Sequence, residues 1–127
     1  MKEVIFTDKA PAAIGTYSQA IKVNNTVYLS GQIPKDPLTG AMITGDFKKE
    51  VKQIFANLSA VANAAGGNLS QIVKLTVFLT DFNLFADLNA VMLELFSEPY
   101  PARSTVQVSR LPADSRVEIE AVMTVGE

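Results

Sequence analysis

Apolar side chains recur every three or four residues in two segments, a spacing typical of one face of an α-helix. The first segment spans residues 47–65, with Asp46 placed as its N-cap and Gly66–Gly67 as its stop. The second is capped by Asp81 and ends before Pro99. The pattern predicts two amphipathic helices, and the apolar face of the second consists of Phe82, Phe85, Leu88, Met92, Leu95 and Phe96.

Shorter runs with a period of two predict strands at residues 4–6, 18–23, 26–32, 72–80, 102–109 and 116–125. The pair Asn24–Asn25 suits a tight hairpin turn, because asparagine tolerates a positive φ. In the fourth strand, alternation assigns to the core face Val73, Leu75, Val77 and Leu79.

The predicted order is therefore βββαβαββ. Two amphipathic helices need a single sheet face to cover, so the pattern favours an α+β fold: a two-layer domain with a mixed sheet and both helices on one face. The other face carries Thr76, Phe78 and alternating charges, and lies either in solvent or against another subunit. This pattern leans towards an oligomer.

The amino-acid composition limits which residues could catalyse a reaction or bind a metal. A length of 127 residues fits one domain, 1–127, and cysteine and histidine are both absent. Their absence excludes disulfides, thiolate metal sites and catalytic triads that use histidine. Acid–base chemistry must then come from Asp, Glu, Lys, Tyr, backbone or water, and no metal site is predicted.

The charge of the chain and its distribution bear on which partners it binds and where it is located. The net charge is −2 and the isoelectric point is about 5.1, which argues against nucleic-acid binding. Charged residues near the start, such as Lys2 and Glu3, do not fit a signal peptide, and no apolar run of ~18 residues occurs. We expect a cytoplasmic protein without a membrane anchor.

Three charged residues are candidates for chemistry. Arg103 begins a strand after a proline-rich stop, and its planar fork of donors suits a small carboxylate; an ordinary surface arginine is the alternative. Glu118 and Glu120 share the non-core face of the last strand. A desolvated carboxylate there can act as a general base, whereas two exposed charges would only discourage edge pairing.

Weaker candidates surround them. Tyr17 can offer its hydroxyl to a substrate or cover the rim of the core. Ser30 and Gly31 end a strand, where glycine permits close approach of a ligand or marks a bulge. Asn89 in the second helix reaches a site or faces water.

Taken together, the motifs resemble the RidA family, also called YjgF/YER057c. The resemblance covers essentially the whole chain, and its motifs fall in family order. It rests on residues 13–20, 30–34 and 74–79, on Asn89, on the run Tyr100–Pro101–Ala102–Arg103–Ser104–Thr105–Val106, and on residues 110–121.

This resemblance implies a chorismate-mutase-like fold, a homotrimer with sites between subunits, and hydrolysis of 2-iminobutanoate and 2-iminopropanoate to 2-oxo acids and ammonia. It implies that no cofactor is needed. By matching position, Arg103 binds the carboxylate and Glu118 positions or activates water. The residues that line the site are Tyr17, Ser30, Gly31, Asn89 and Thr105.

The chain departs from the family pattern at Thr16, where proline is frequent, at Gln107, where an acidic residue is frequent, and at Thr105, where some members carry cysteine. Two alternatives stay open: an endoribonuclease or translation inhibitor, as reported for some relatives, and a trimer that binds small carboxylates without turnover. An imine carbon is already electrophilic, so its hydrolysis needs only a carboxylate anchor, a placed water and a proton path.

Overall fold

The computed structural model describes residues 1–126, and its elements follow the order predicted from the sequence. The strands are β1 (Glu3–Ile5), β2 (Ala20–Val23), β3 (Thr26–Gln32), β4 (Ile72–Leu79), β5 (Ala102–Gln107) and β6 (Val117–Thr124). The helices are α1 (Phe47–Ala64) and α2 (Phe85–Leu95), with three short 3₁₀ turns between elements. Strand ends lie within two residues of the predicted ones, and the α+β fold is confirmed.

The six strands form one mixed sheet in the order β1-β2-β3-β6-β4-β5. Only β4 and β5 are parallel neighbours, and α2 is the connection between them. All other neighbours are antiparallel. The β2–β3 hairpin closes where Val23 pairs with Thr26, and Asn24 adopts a φ of 54° in the turn, as predicted.

Helix α1 begins and ends where the sequence predicts. Asp46 accepts a hydrogen bond from the backbone N–H of Lys49 at 3.2 Å, which satisfies one free donor of the first turn. At the other end Gly66 has a φ of 94°, and the N–H of Gly67 donates to the carbonyl of Ala62 at 2.9 Å. Only glycine adopts this left-handed cap at little cost, so the helix stops there.

The predicted apolar face of α2 is wrong at two positions. Asp81 caps a 3₁₀ turn, Phe82–Leu84, and α2 itself begins only at Phe85. Because the chain winds more tightly through the 3₁₀ turn, the buried face of the helix comprises Leu88 and Val91, and the sequence pattern missed Val91. The two predicted core residues left largely exposed are Phe82 and Leu95.

The prediction for Val73 is also wrong. The pairing of β4 with β6 shifts by one residue between Ile72 and Lys74, as in a β-bulge. A bulge interrupts the alternation of side chains, so Ile72 is buried while Val73 is 45% exposed. From Leu75 onward the predicted alternation holds.

Both helices cover the same face of the sheet, and one continuous core lies between the layers. We call the opposite side the open face. Side chains that alternate with buried neighbours point to it, notably Tyr28, Phe78, Glu118, Glu120 and Val122. Val106 lies on the same face because it pairs with Phe78. Tyr28 is 53% and Val106 is 43% exposed, so large apolar groups remain unburied on this face of the protomer.

One ion pair ties the two layers together. Arg116, just before β6, donates to both carboxylate oxygens of Glu50 in α1, at 3.3 and 2.7 Å. Glu50 is buried, and its carboxylate raises the pKa of Arg116 although burial acts in the opposite direction. The pair fixes the start of β6, the strand that carries Glu118.

We expect Arg116→Ala to lower the free energy of unfolding by ~3 kcal/mol, because it leaves the Glu50 carboxylate buried and unpaired. Arg110→Ala is the matched control. Arg110 pairs with Asp114 at the same 2.7 Å, but both side chains are about four-fifths exposed, so this pair contributes little. Urea unfolding of both variants measures the difference, and equal losses would contradict the structural role of the pair.

Candidate active site

Arg103 lies near the start of β5, an edge strand, at the position paired with Leu75 of β4. Leu75 faces the helices, and the Arg103 side chain also points towards α2. Its Nη1 donates to Asn89 Oδ1 at 2.7 Å and contacts Met92 Sδ at 3.2 Å. Its guanidinium carbon lies 5.3 Å from the centre of the Phe85 ring. The side chain is therefore ordered by α2.

Arg103 differs from the other arginines of the chain in its partners. Arg110 and Arg116 each form a salt bridge to a carboxylate. Within residues 1–126, no carboxylate lies within 4.0 Å of the Arg103 guanidinium, although the side chain is half-buried. A half-buried cation that is held by neutral groups can still bind an anion, because its charge has not been neutralised within the protomer.

A cavity of about 480 Å³ opens beside this guanidinium. Besides Arg103 and Asn89, its walls are formed by the apolar Met92, Leu93 and Pro101 and by the aromatic Tyr100. Few polar groups in an apolar concavity are typical of small-molecule sites. The arrangement can hold a small organic acid by its carboxylate.

A second group of predicted site residues lies around the end of β3. Tyr17 borders one cavity with Gly31 and another with Ser30 and Glu120. The Ser30 hydroxyl donates to the carbonyl of Ser18 at 2.6 Å, which fixes the segment that carries Tyr17. The structure thus brings together Tyr17, Ser30 and Gly31.

Glu118 belongs to this second group. A β-carbon on Gly31 would overlap Glu118 Oε2 and would lie 2.9 Å from the carboxyl carbon. Glycine thus leaves room for the carboxylate in this position, and any larger residue would require the Glu118 side chain to move, although the φ of Gly31 is not in the left-handed range. Burial raises the pKa of Glu118, and the charge of Glu120 raises it further. A carboxylate of raised pKa is a better proton acceptor than an exposed one.

Within one protomer the sheet separates the two groups. Arg103 contacts α2 on the helix-covered side, whereas Glu118 lies on the open face, between the buried Val117 and Ile119. The structure therefore does not place Arg103 and Glu118 in one cavity of a single chain.

The comparisons with known proteins decide the family. Residues 7–125 match the model of the family described as Endoribonuclease L-PSP. A solved structure described as RidA from the Antarctic bacterium Psychrobacter sp. PAMC 21119 is 52% identical, covers 97% of this chain and 99% of that one, and superposes with a TM-score of 0.94. The chain belongs to this family. The predicted RidA resemblance is thereby confirmed.

Two further relatives bear on activity. A protein of Dermatophagoides farinae named 2-iminobutanoate/2-iminopropanoate deaminase is 48% identical over 124 residues, which are 98% of this chain and 97% of that one. A solved structure described as E. coli TdcF with bound serine is 42% identical, covers 98% and 99% of the two chains, and has a TM-score of 0.93.

Thr105, where some RidA members carry cysteine, lies on the helix-covered side with Arg103. Its hydroxyl oxygen is buried and is without a hydrogen-bond partner within the described part of the chain. A substrate therefore cannot reach this hydroxyl in the protomer as it stands.

Two contacts of Arg103 were missed by the sequence reasoning. Phe85 and Met92 were assigned only to the apolar core, yet both touch the guanidinium. With Asn89 they follow the spacing i, i+4, i+7 of one helical face, and this spacing was the signal available in the sequence. Across residues 1–126, no cluster of three or more Asp or Glu side chains is arranged to hold a metal ion, and neither helix combines the length and the hydropathy of a membrane span.

The contact between Glu118 and Gly31 generates a prediction. We expect Gly31→Ala to displace the Glu118 carboxylate and to lower the free energy of unfolding by roughly 1–3 kcal/mol through overpacking. Chemical denaturation measures the loss. The double variant Gly31→Ala/Glu118→Ala is the control, since removal of the carboxylate relieves the overlap and makes the two effects less than additive. Strict additivity would contradict the contact.

Proposed function

We propose that the chain hydrolyses 2-imino acids, such as 2-iminobutanoate and 2-iminopropanoate, to 2-oxo acids and ammonia. The observation that carries this proposal is the Arg103 guanidinium, which is held beside an apolar cavity and has no carboxylate partner within residues 1–126. Relatives that match nearly the whole chain, from Dermatophagoides farinae, Bos taurus, Mus musculus and Homo sapiens, are named for this reaction. The family supports the reaction, and the geometry supports the anchor.

The proposed reaction adds one water across the C=N bond. Arg103 binds the substrate carboxylate and so fixes the position of the imine carbon. Glu118 takes one proton from water as the water oxygen bonds to that carbon. This proton passes, directly or through solvent, to the nitrogen, which takes the electron pair of the C=N π bond and becomes an amine. The hydroxyl proton then passes to the amine nitrogen, the C–N bond breaks with its electron pair leaving on ammonia, and the hydroxyl oxygen becomes the carbonyl of the 2-oxo acid. Tyr17, Ser30 and Gly31 line the side from which the water arrives.

We further propose that the complete site forms between subunits of a homotrimer. The sheet separates Arg103 from Glu118 within one protomer, so the two groups are brought to one substrate by two copies of the chain. The open face offers apolar groups, including Tyr28, Val106 and Val122, for burial in such an assembly. The cytoplasm is the compartment we propose for it.

RNA cleavage, which the family description names, has less support from this chain. The chain has no histidine, a net charge of −2 and an isoelectric point of about 5.1. Neither the general acid–base residue most common in enzymes nor an overall positive charge for phosphates is present. Imine hydrolysis uses the carboxylate-binding arginine directly, so we retain it as the main function.

The anchor role of Arg103 is tested with imines released by a pyridoxal-phosphate threonine dehydratase. We expect the wild-type chain to shorten the lifetime of the imine and Arg103→Ala to lower kcat/KM by ~10- to 100-fold, since a charged hydrogen bond contributes about 1.5–3 kcal/mol. Arg110→Ala, on the exposed surface, is the matched control and should retain activity. A folded Arg103→Ala variant with full activity would refute the anchor. A wild-type chain that binds 2-oxobutanoate without hydrolysing imines would favour the alternative hypothesis, a trimer that binds small carboxylates without turnover.

The inter-subunit site is tested by mixing two inactive variants. Arg103→Ala and Glu118→Ala are co-refolded at equal concentrations, and hydrolysis is measured in the mixture. If each site takes Arg103 from one copy and Glu118 from another, roughly a quarter of the sites regain both groups and activity returns to that level. Activity no higher than that of the separate variants would show that each site is built from one chain.

A further inference from the structure

Three side chains of α2 converge on the guanidinium of Arg103. Asn89 Oδ1 lies 2.7 Å and Met92 Sδ lies 3.2 Å from Nη1, and the Phe85 ring centre lies 5.3 Å from the guanidinium carbon. We infer that Phe85, Asn89 and Met92 form a frame that positions Arg103, and that the frame directs the Nε/Nη2 edge of the guanidinium to the substrate carboxylate. This inference rests on the proposed function.

The choice of edge follows from counting donors. Arginine has five N–H groups, and a carboxylate is bound most specifically by two that lie side by side. Nη1 carries two hydrogens, and it faces both Asn89 and Met92. Across residues 1–126, no hydrogen bond from Nε or Nη2 to a protein acceptor is formed. The Nε/Nη2 pair is therefore the one two-donor edge that stays free in the protomer.

The frame is itself tied to the strand that carries Arg103. Phe82 stacks on Phe85, with ring centres 5.1 Å apart and an interplanar angle of 15°. The backbone N–H of Phe82 donates to Gln107 Oε1 at 2.9 Å, and Gln107 is the last residue of β5. The start of the helical segment is thus fixed to the end of β5, and Asn89 is fixed to its beginning through Arg103.

The frame assigns a role to Asn89 that differs from direct substrate binding. Its amide oxygen is occupied by Arg103, so Asn89 acts mainly through the guanidinium. A long arginine side chain that is already ordered loses less conformational entropy when it binds a carboxylate. Phe85, Asn89 and Met92 are therefore positioning residues, and their effect should depend on the presence of Arg103.

A double-mutant cycle tests this dependence. Binding of 2-oxobutanoate, a stable acid that carries the same carboxylate, is measured by calorimetry for wild type, Asn89→Ala, Arg103→Ala and the double variant. We expect Asn89→Ala to weaken binding by ~5- to 20-fold in the wild-type background, and by less than about 2-fold in the Arg103→Ala background. Asn63→Ala, an exposed asparagine of α1, is the matched control. An equal loss in both backgrounds would overturn the inference, because Asn89 would then contact the ligand itself.

The Nε–H signal of Arg103 in ¹⁵N NMR spectra supplies a readout that needs no turnover. We expect slow rotation about the Nε–Cζ bond in wild type and faster rotation in Asn89→Ala and Phe85→Leu. Met92→Leu, which keeps the side-chain volume, isolates the contribution of the sulfur. Unchanged rotation in all three variants would overturn the frame.

The two readouts separate this inference from the proposed function. An ordered Arg103 that binds 2-oxobutanoate in a chain without imine hydrolysis would sink the proposed activity and leave the frame intact. Full imine hydrolysis by a chain in which Arg103 rotates freely would contradict the frame and leave the proposed activity intact.

Discussion

The uncompensated charge of Arg103 is the constraint on which the site depends. An arginine stays ionised at any physiological pH, and its partial burial removes some of the water that would stabilise the charge. Among residues 1–126, the groups that contact this cation are neutral: an amide oxygen, a thioether and the face of an aromatic ring. Such groups orient the cation without neutralising it, so an incoming carboxylate meets a fixed donor edge. A carboxylate partner, such as Arg116 has in Glu50, would have blocked this use.

The proposed activation of water by Glu118 depends on the absence of a side chain at Gly31. Gly31 leaves room for the Glu118 carboxylate to pack against the end of β3, where burial and Glu120 raise its pKa. The raised value follows from charge and solvation, and no catalytic dyad with histidine is needed. The salt bridge between Glu50 and Arg116 fixes the first residues of β6, which lie next to Glu118. The position of the Glu118 carboxylate thus comes from packing against Gly31, and its raised pKa comes from burial and the charge of Glu120.

The two faces of the sheet carry different parts of the proposed site. On one face the helices complete the core, and α2 orders Arg103. The other face keeps Glu118 with tyrosine, valine and phenylalanine side chains that a protomer alone leaves partly unburied. An enzyme whose proposed anchor and base lie on opposite faces of one sheet becomes complete only when copies of the chain meet. In the proposed trimer, catalysis therefore requires assembly.

The sequence by itself determined the order of elements, the caps of α1 and the turn at Asn24, because helix periodicity and backbone preferences act over a few neighbouring residues. Its motifs also determined the family and named Arg103 and Glu118 as candidates. Tertiary structure decided the rest. The bulge that exposes Val73 and the 3₁₀ turn that rotates the face of α2 arise from pairing and packing between distant segments. Helical spacing places Phe85, Asn89 and Met92 on one face of α2, but it does not show that this face meets Arg103 or that the sheet separates Arg103 from Glu118. These depend on how β5, β6 and α2 meet in space.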